Sequence, residues 1–299
     1  MQISTNAFYN RNTTLMQQLT GKANDIQTQI STTKKFSDPS QDVVAYQRLA
    51  NIKQGTADDT AYGSNIGLAQ SVLQQSDTTL TAVEDRLQQA SELAVQANDG
   101  TLTDSAKKTI AVQIRGILDD IANLANTKDA RGQPLYGAAT GDTAVTKNSD
   151  GTYSFTGTGD PASIPIGDDV SIQATDSASR VFGGLTTTSG ATDVFGVLSK
   201  FADALESGGD TSQASTDVTT ALNQITSVHG AVGARAKRVD LEATRLKDVA
   251  ANREIDRSAL EDTDITAAIT ELQKTMTVLS ATQASFTKLS SLSLFDYLK

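Results

Sequence analysis

From Ile66 onward an apolar or small residue returns every seven positions: Ile66, Leu73, Leu80, Leu87 and Ala94. A second set, Ala69, Ser76, Val83, Ala90 and Ala97, follows each of these by three residues. Spacings of three and four place both sets on one narrow stripe of an α-helix, the seam of a coiled coil. A stripe sustained this long demands a long helix packed along other helices. Residues 104–126 continue the pattern with Ile110, Ile114, Ile117, Ile121 and Leu124. Asn98-Asp99-Gly100 is a turn signal, and Thr103 or Asp104 suits a helix cap. So short a connection predicts antiparallel neighbours.

The helical signal runs from about residue 5 to 130 and again from about 193 to 290. In the second stretch Val218, Leu222, Ile225, His229, Val232, Ala236, Val239, Ala243, Leu246, Ala250 and Arg253 hold the four-three spacing. The phase shifts between Ile255 and Leu260, then resumes as Ile265, Ile269, Leu272, Met276, Leu279, Gln283 and Phe286. Read as a stutter, the shift moves the buried stripe around the helix and marks a boundary between two packing environments. The first thirty residues carry only a sparse stripe, Leu15, Leu19, Lys22, Ile26 and Ile30, flanked by Asn, Thr and Gln. Such a segment is weakly helical alone. The other end crowds Leu289, Leu292, Leu294, Phe295, Tyr297 and Leu298 together, as interaction surfaces do. The simplest partner for one end is the other, with neighbouring copies adding buried area.

Between the helical stretches, residues 131–190 are rich in Gly, Thr, Ser and Asp and hold Pro134, Pro161 and Pro165. Thr152–Thr156 alternates with period two, and Ser163–Ile166 and Val170–Ile172 are short strand candidates. This reads as a small, exposed, acidic β unit. The predicted fold is therefore mainly α: a long antiparallel bundle or coiled coil built from both chain halves, with a small β-rich central insert. The expected division is 1–41 with 256–299 as terminal helical segments, 42–137 with 195–255 as the bundle, and 138–194 as the insert.

Composition narrows the function. The 299 residues include no cysteine and one histidine, so neither a thiol nucleophile nor a multi-histidine metal site is available. A net charge of −10 opposes a nucleic-acid partner. No apolar run is long enough for a membrane span, and the first residues lack the features of a cleaved signal peptide. His229 sits on the helix stripe with no nucleophile near it in sequence, and reads as a polar seam residue. Asp58-Asp59, Asp119-Asp120 and Asp168-Asp169 read as solvated surface, and Arg235, Lys237 and Arg238 as partners for acids on another helix. The low aromatic share, 5%, suits thin helix seams. No catalysis, cofactor or metal is expected.

The plan of sparse helical ends, heptad bundle, β insert and bundle again resembles the bacterial flagellins and the junction proteins beside them. Ser64-Asn65-Ile66-Gly67-Leu68-Ala69-Gln70, with Leu80, Val83 and Arg86, resembles the start of the flagellin core helix. Glu92-Leu93-Ala94-Val95-Gln96-Ala97-Asn98-Asp99-Gly100-Thr101 resembles its end and turn, and Gly132–Gly137 the opening of the insert. Met1–Thr5, Ser31–Asp42 and Leu292–Leu298 resemble the hook-filament junction branch. Thr33 stands where that branch often has Gly, and Gln41 and Val43 where it often has Asp and Pro.

The resemblance implies a structural axial protein of the flagellum, located outside the cell and exported without a cleaved signal. Its implied partners are further copies of itself, the hook-side junction protein, flagellin and a cytoplasmic export chaperone. It also implies terminal helices that order on assembly. The assembly interface is assigned to Ile3, Phe8, Leu15, Leu19, Ile26, Ile30, Ile269, Leu272, Met276, Leu279, Phe286, Leu289, Leu292, Leu294, Phe295, Tyr297 and Leu298. The alternatives are a flagellin, or an extracellular binding protein acting through the insert.

Overall fold

The computed structural model describes residues 2–129, 131–138, 143–157 and 159–297, with only the helical backbone for 2–6 and 289–297. The elements are α1 (Gln2–Thr32), α2 (Val43–Ala97), α3 (Asp104–Ala125), β1 (Val145–Lys147), β2 (Tyr153–Phe155), β3 (Ile164–Gly167), β4 (Val170–Ile172), α4 (Ala178–Phe182), β5 (Leu185–Thr187), β6 (Gly190–Thr192), α5 (Val194–Ser207), α6 (Ala214–Glu261) and α7 (Ile265–Tyr297). They form two compact units: Asp59–Asp248, and Met1–Asp58 with Val249–Lys299. The division falls inside α2 and α6.

In the larger unit all ten heptad positions from Ile66 to Ala97 are buried. Ile110, Ile114, Ile117 and Ile121 of α3 and Val218, Ile225, Val232, Val239 and Leu246 of α6 are buried in the same core, whereas Ala250 is exposed. Thr103 caps α3, its hydroxyl accepting from the Ala106 N–H. Arg86 reaches Asp120 at 3.2 Å, tying α2 to α3. Arg115 of α3 grips Asp203 and Glu206 of α5, each at 2.7 Å. The helix read as continuous from 193 is interrupted: α5 ends at Gly208, whose φ of 71° closes a left-handed cap. Glycine pays no steric penalty there.

The insert departs from the sequence reading. Strands β2, β3 and β4 lie where the alternation places them, but β1, β5, β6 and α4 had no clear signal. The strands form three separate antiparallel hairpins. A lone hairpin cannot bury an apolar face by itself. Ile166, Ile172, Val181, Phe182 and Leu185 instead join the bundle's core. Aromatics concentrate there: Phe195 of α5 stacks on Tyr153 at 4.9 Å and meets Phe182 at 5.6 Å, and Phe182 meets Tyr136 at 5.8 Å. Thus the few aromatic residues do not all serve thin seams. Arg235 also corrects its assignment. Its partner is the buried Asp176, which lies in the segment entering α4 and on no helix.

In the smaller unit α1 and α7 pack together, and the phase shift proves to be a helix end. The helix α6 stops at Glu261, and Asp264 starts α7 by accepting from the Ala267 N–H at 3.0 Å. A new helix starts a new stripe without over- or underwinding the old one.

Candidate assembly surface

Tyr9 packs edge-on against Phe286 with centroids 5.3 Å apart, and Lys22 pairs with Glu271 at 2.5 Å. As the α1 number rises the α7 number falls, so the two helices are antiparallel. The shielded positions of α1 are Tyr9, Asn12, Met16, Leu19, Ala23, Ile26, Gln29 and Ile30; those of α7 are Ile265, Ala268, Glu271, Leu272, Thr275, Leu279, Thr282 and Phe286. Apart from Gln29 and Glu271, both sets keep three-four spacing. The predicted stripes had half of this. Leu19, Ile26, Ile30, Ile265, Leu272, Leu279 and Phe286 face inward as expected. Leu15 and Lys22 do not, because Met16 and Ala23 take those places; Ile269, Met276 and Gln283 give way to Ala268, Thr275 and Thr282.

The seam is thin. Among the described side chains of α1 only Ala23 and Ile26 are fully buried. Asn12 and Thr282 put polar atoms into it. Threonine hydroxyls along both helices bond back to the carbonyl four residues earlier, as Thr13, Thr20, Thr28, Thr270 and Thr277 do. Such bonds slightly weaken a helix.

What the seam leaves out forms the surface. Phe8, Leu15, Ile269, Met276 and Val278 are 40–50% exposed. The Lys22–Glu271 pair fixes the register. Seven residues away along each helix, Leu15 and Val278 share its flank of the pair. Ile269 and Met276 lie on the opposite side of the α7 stripe. Both flanks therefore offer apolar side chains at helical spacing, suited to further helices packed alongside. The side chains of Ile3, Leu289, Leu292, Leu294, Phe295 and Tyr297, and all of Leu298, lie outside the described residues.

One cluster anchors this pair. The Lys35 N–H donates to the Glu261 carbonyl at 2.7 Å, and the Thr263 N–H donates to Thr33 at 2.9 Å. The Glu261 carboxylate, nearly buried, accepts from Lys34 at 2.5 Å and Arg257 at 2.8 Å. The Lys34 ammonium holds its pKa below the usual carboxylate range, against the opposing effect of burial. Thr33 adopts φ 60°, a left-handed conformation that strains a β-branched residue. This is the position where the resemblance finds Gly.

His229 of α6 lies between two acidic side chains of α2. Its Nε2 lies 2.9 Å from Asp77 and its Nδ1 3.2 Å from Glu84, so it ties α6 to α2. Burial opposes its charge, yet the two carboxylates outweigh that and raise its pKa. Asp119 accepts from Lys147 at 2.7 Å and from the Tyr153 hydroxyl at 2.8 Å, and Tyr62 donates to Asp168 at 3.2 Å. Among the described residues no group of three or more acidic or histidine side chains could hold a metal ion.

The sequence matches the bacterial flagellin N-terminal helical region over residues 3–139 and the bacterial flagellin C-terminal helical region over residues 216–298. The chain belongs to the flagellin family. Within that family, flagellar hook-associated protein 3 of Escherichia coli is 26% identical over 291 residues, covering 91% of each chain. A flagellin of Listeria innocua is 23% identical over 225 residues, covering 75% of this chain and 72% of its own. The crystal structure of flagellar hook-associated protein 3 from Legionella pneumophila shares the fold, with a TM-score of 0.64 at 16% identity; the match covers 71% of this chain and 98% of that one. The two matched regions are helical, and the unmatched stretch contains the three hairpins with α4 and α5.

Proposed function

We propose that this chain is the structural subunit of the flagellar hook-filament junction, assembling with copies of itself through α1 and α7. The observation that carries the assembly reading is the α1–α7 pair, with a thin seam inside and apolar side chains on both flanks. The similarity to hook-associated protein 3 spans nearly the whole of both chains, and the similarity to flagellin is weaker and shorter. That favours the junction over the filament. The mechanism is addition of buried area: each neighbour covers flanks that one chain leaves wet, and the helices gain stability from association. No step of this role is catalytic. The chain acts outside the cell, between the hook-side junction protein and flagellin, after export without a cleaved signal in the care of a cytoplasmic chaperone.

The test is the double substitution Phe8→Ser with Met276→Ser. Both side chains are exposed in the single chain, so its helix content and melting should not change. Sedimentation of the purified protein should show association lost. Deleting residues 290–299 should act likewise. Retained association in both variants would refute the role given to the terminal pair. Indefinite growth of the unaltered protein into filaments would favour a flagellin.

A further inference from the structure

The molecule's negative charge belongs to one unit alone. Met1–Asp58 with Val249–Lys299 holds eleven Lys and Arg against eleven Asp and Glu, so it is neutral. Asp59–Asp248 holds fourteen against twenty-four, the whole formal charge of −10. Some of the neutral unit's charges are paired, Lys22 with Glu271, Lys34 with Glu261, and Arg257 with Glu254 and Glu261, and the others balance in sum. In the charged unit many acids stand in solvent, among them Asp85, Glu92, Asp160 and Asp169.

The physics of burial distinguishes the two. A surface covered by another copy must give up its hydration, which is tolerable when charges are few or already paired. A surface that stays wet bears no such cost, and excess charge there keeps single chains apart in solution. We infer that the Asp59–Asp248 unit is an electrostatic brake on self-association, released by salt, whereas the neutral terminal unit supplies the attraction. This rests on the reading that copies join through α1 and α7. Each acidic unit continues from its terminal unit through α2 and α6, so joining copies at the terminal units brings their net charges together. The screening length falls from about 30 Å at 0.01 M salt to about 8 Å at 0.15 M. Repulsion between joined copies is therefore much weaker at the higher salt. Ionic strength thus separates a dispersed, low-salt form from an assembling one without any ion binding at a defined site.

The experiment measures association of the full chain by sedimentation across a sodium chloride series. It compares the unaltered protein with a variant carrying D85N, E92Q, D160N and D169N, which lowers the net charge to −6 from −10. Asn is at home at Asp169, whose φ is 54°. Repulsion scales with the product of the two charges, so the variant loses about two thirds of it. Its salt midpoint should fall at least about twofold. A control with D85E, E92D and D160E keeps the charge and should match the unaltered chain. If the neutralised variant and the unaltered protein share one salt curve, the brake is refuted and the terminal-helix reading stands. If the unaltered protein stays monomeric at every salt concentration, the terminal-helix reading fails and the brake fails with it.

Discussion

The two units solve the same packing problem with unequal means. In Asp59–Asp248 the seam of α2 buries Leu73, Leu80, Val83 and Leu87 to 1% exposure or less, and helices and hairpins close around it. In the terminal unit two helices of comparable length share a seam whose best-buried members are Ala23, Ile26, Ala268 and Thr275. Both obey the same spacing rule. The difference lies in side-chain volume at the seam and in how many elements surround it. Periodicity therefore shows where a helix can pack, and volume shows whether that packing suffices in a single chain.

Truncation of a seam leucine breaks this comparison most sharply. Leu87→Ala should destabilise the larger unit by about 2–5 kcal/mol, as expected for a fully buried leucine. Leu19→Ala, in a half-buried place, should cost about 1 kcal/mol or less in the free chain and leave the main unfolding transition in place. Urea unfolding followed by circular dichroism separates the two; equal losses would show that the terminal seam is as firm as the other.

The next effect concerns the anchor of the terminal pair. Glu261→Gln removes a nearly buried carboxylate from Lys34 and Arg257 and should cost about 1–3 kcal/mol, confined to the terminal unit. Amide exchange should speed up in α1 and α7 but not in α3. The acid limb follows from the same group. The folded pKa of Glu261 is depressed, so its contribution is present above the ordinary carboxylate range and disappears as pH falls through the folded value. Exchange in α1 that is unchanged by acid would contradict this.

Thr33→Gly should relieve the left-handed strain and raise the stability of the terminal unit by about 1 kcal/mol. Measured protection of α1 should increase; a decrease would mean that backbone freedom in the unfolded chain outweighs the strain. The smallest effect is expected at His229. Its folded pKa is raised, so its bonds to Asp77 and Glu84 contribute fully below the unfolded value and fade as pH rises through the folded one. His229→Gln should flatten that slope by about 0.5 kcal/mol, in the larger unit only, with the opposite pH sense to Glu261.

The large-scale fold was legible because heptads speak plainly. Every position assigned to the seam of α2 is buried, and the turn after Ala97 and the cap at Thr103 lie where their residues signal them. The terminal seam was half legible. Apolar residues sit on both faces of α7, and the inward face includes Ala268, Thr275 and Thr282, which hydrophobicity alone passes over. The end of α6 reads as a phase shift because Glu261-Asp262-Thr263-Asp264 contains neither Gly nor Pro. Its stop is set by bonds to Thr33 and Lys35, far away in sequence. The insert was least legible. Strands of three or four residues leave little alternation to read, and nothing local reveals that Phe182 and Leu185 fill a core made by distant helices. The partners of Arg235 and His229 were likewise hidden, since each is decided by packing across the chain.

The pairing of Tyr9 with Phe286 has a consequence in time. Nearly the whole polypeptide must be present before that contact can form, whichever end emerges first from a ribosome or a narrow passage. The larger unit, whose helices meet over shorter separations, can settle while one terminus is still without its mate. For that interval the early end, weakly helical alone, has nothing to close upon, and the last residues to arrive complete the first ones made.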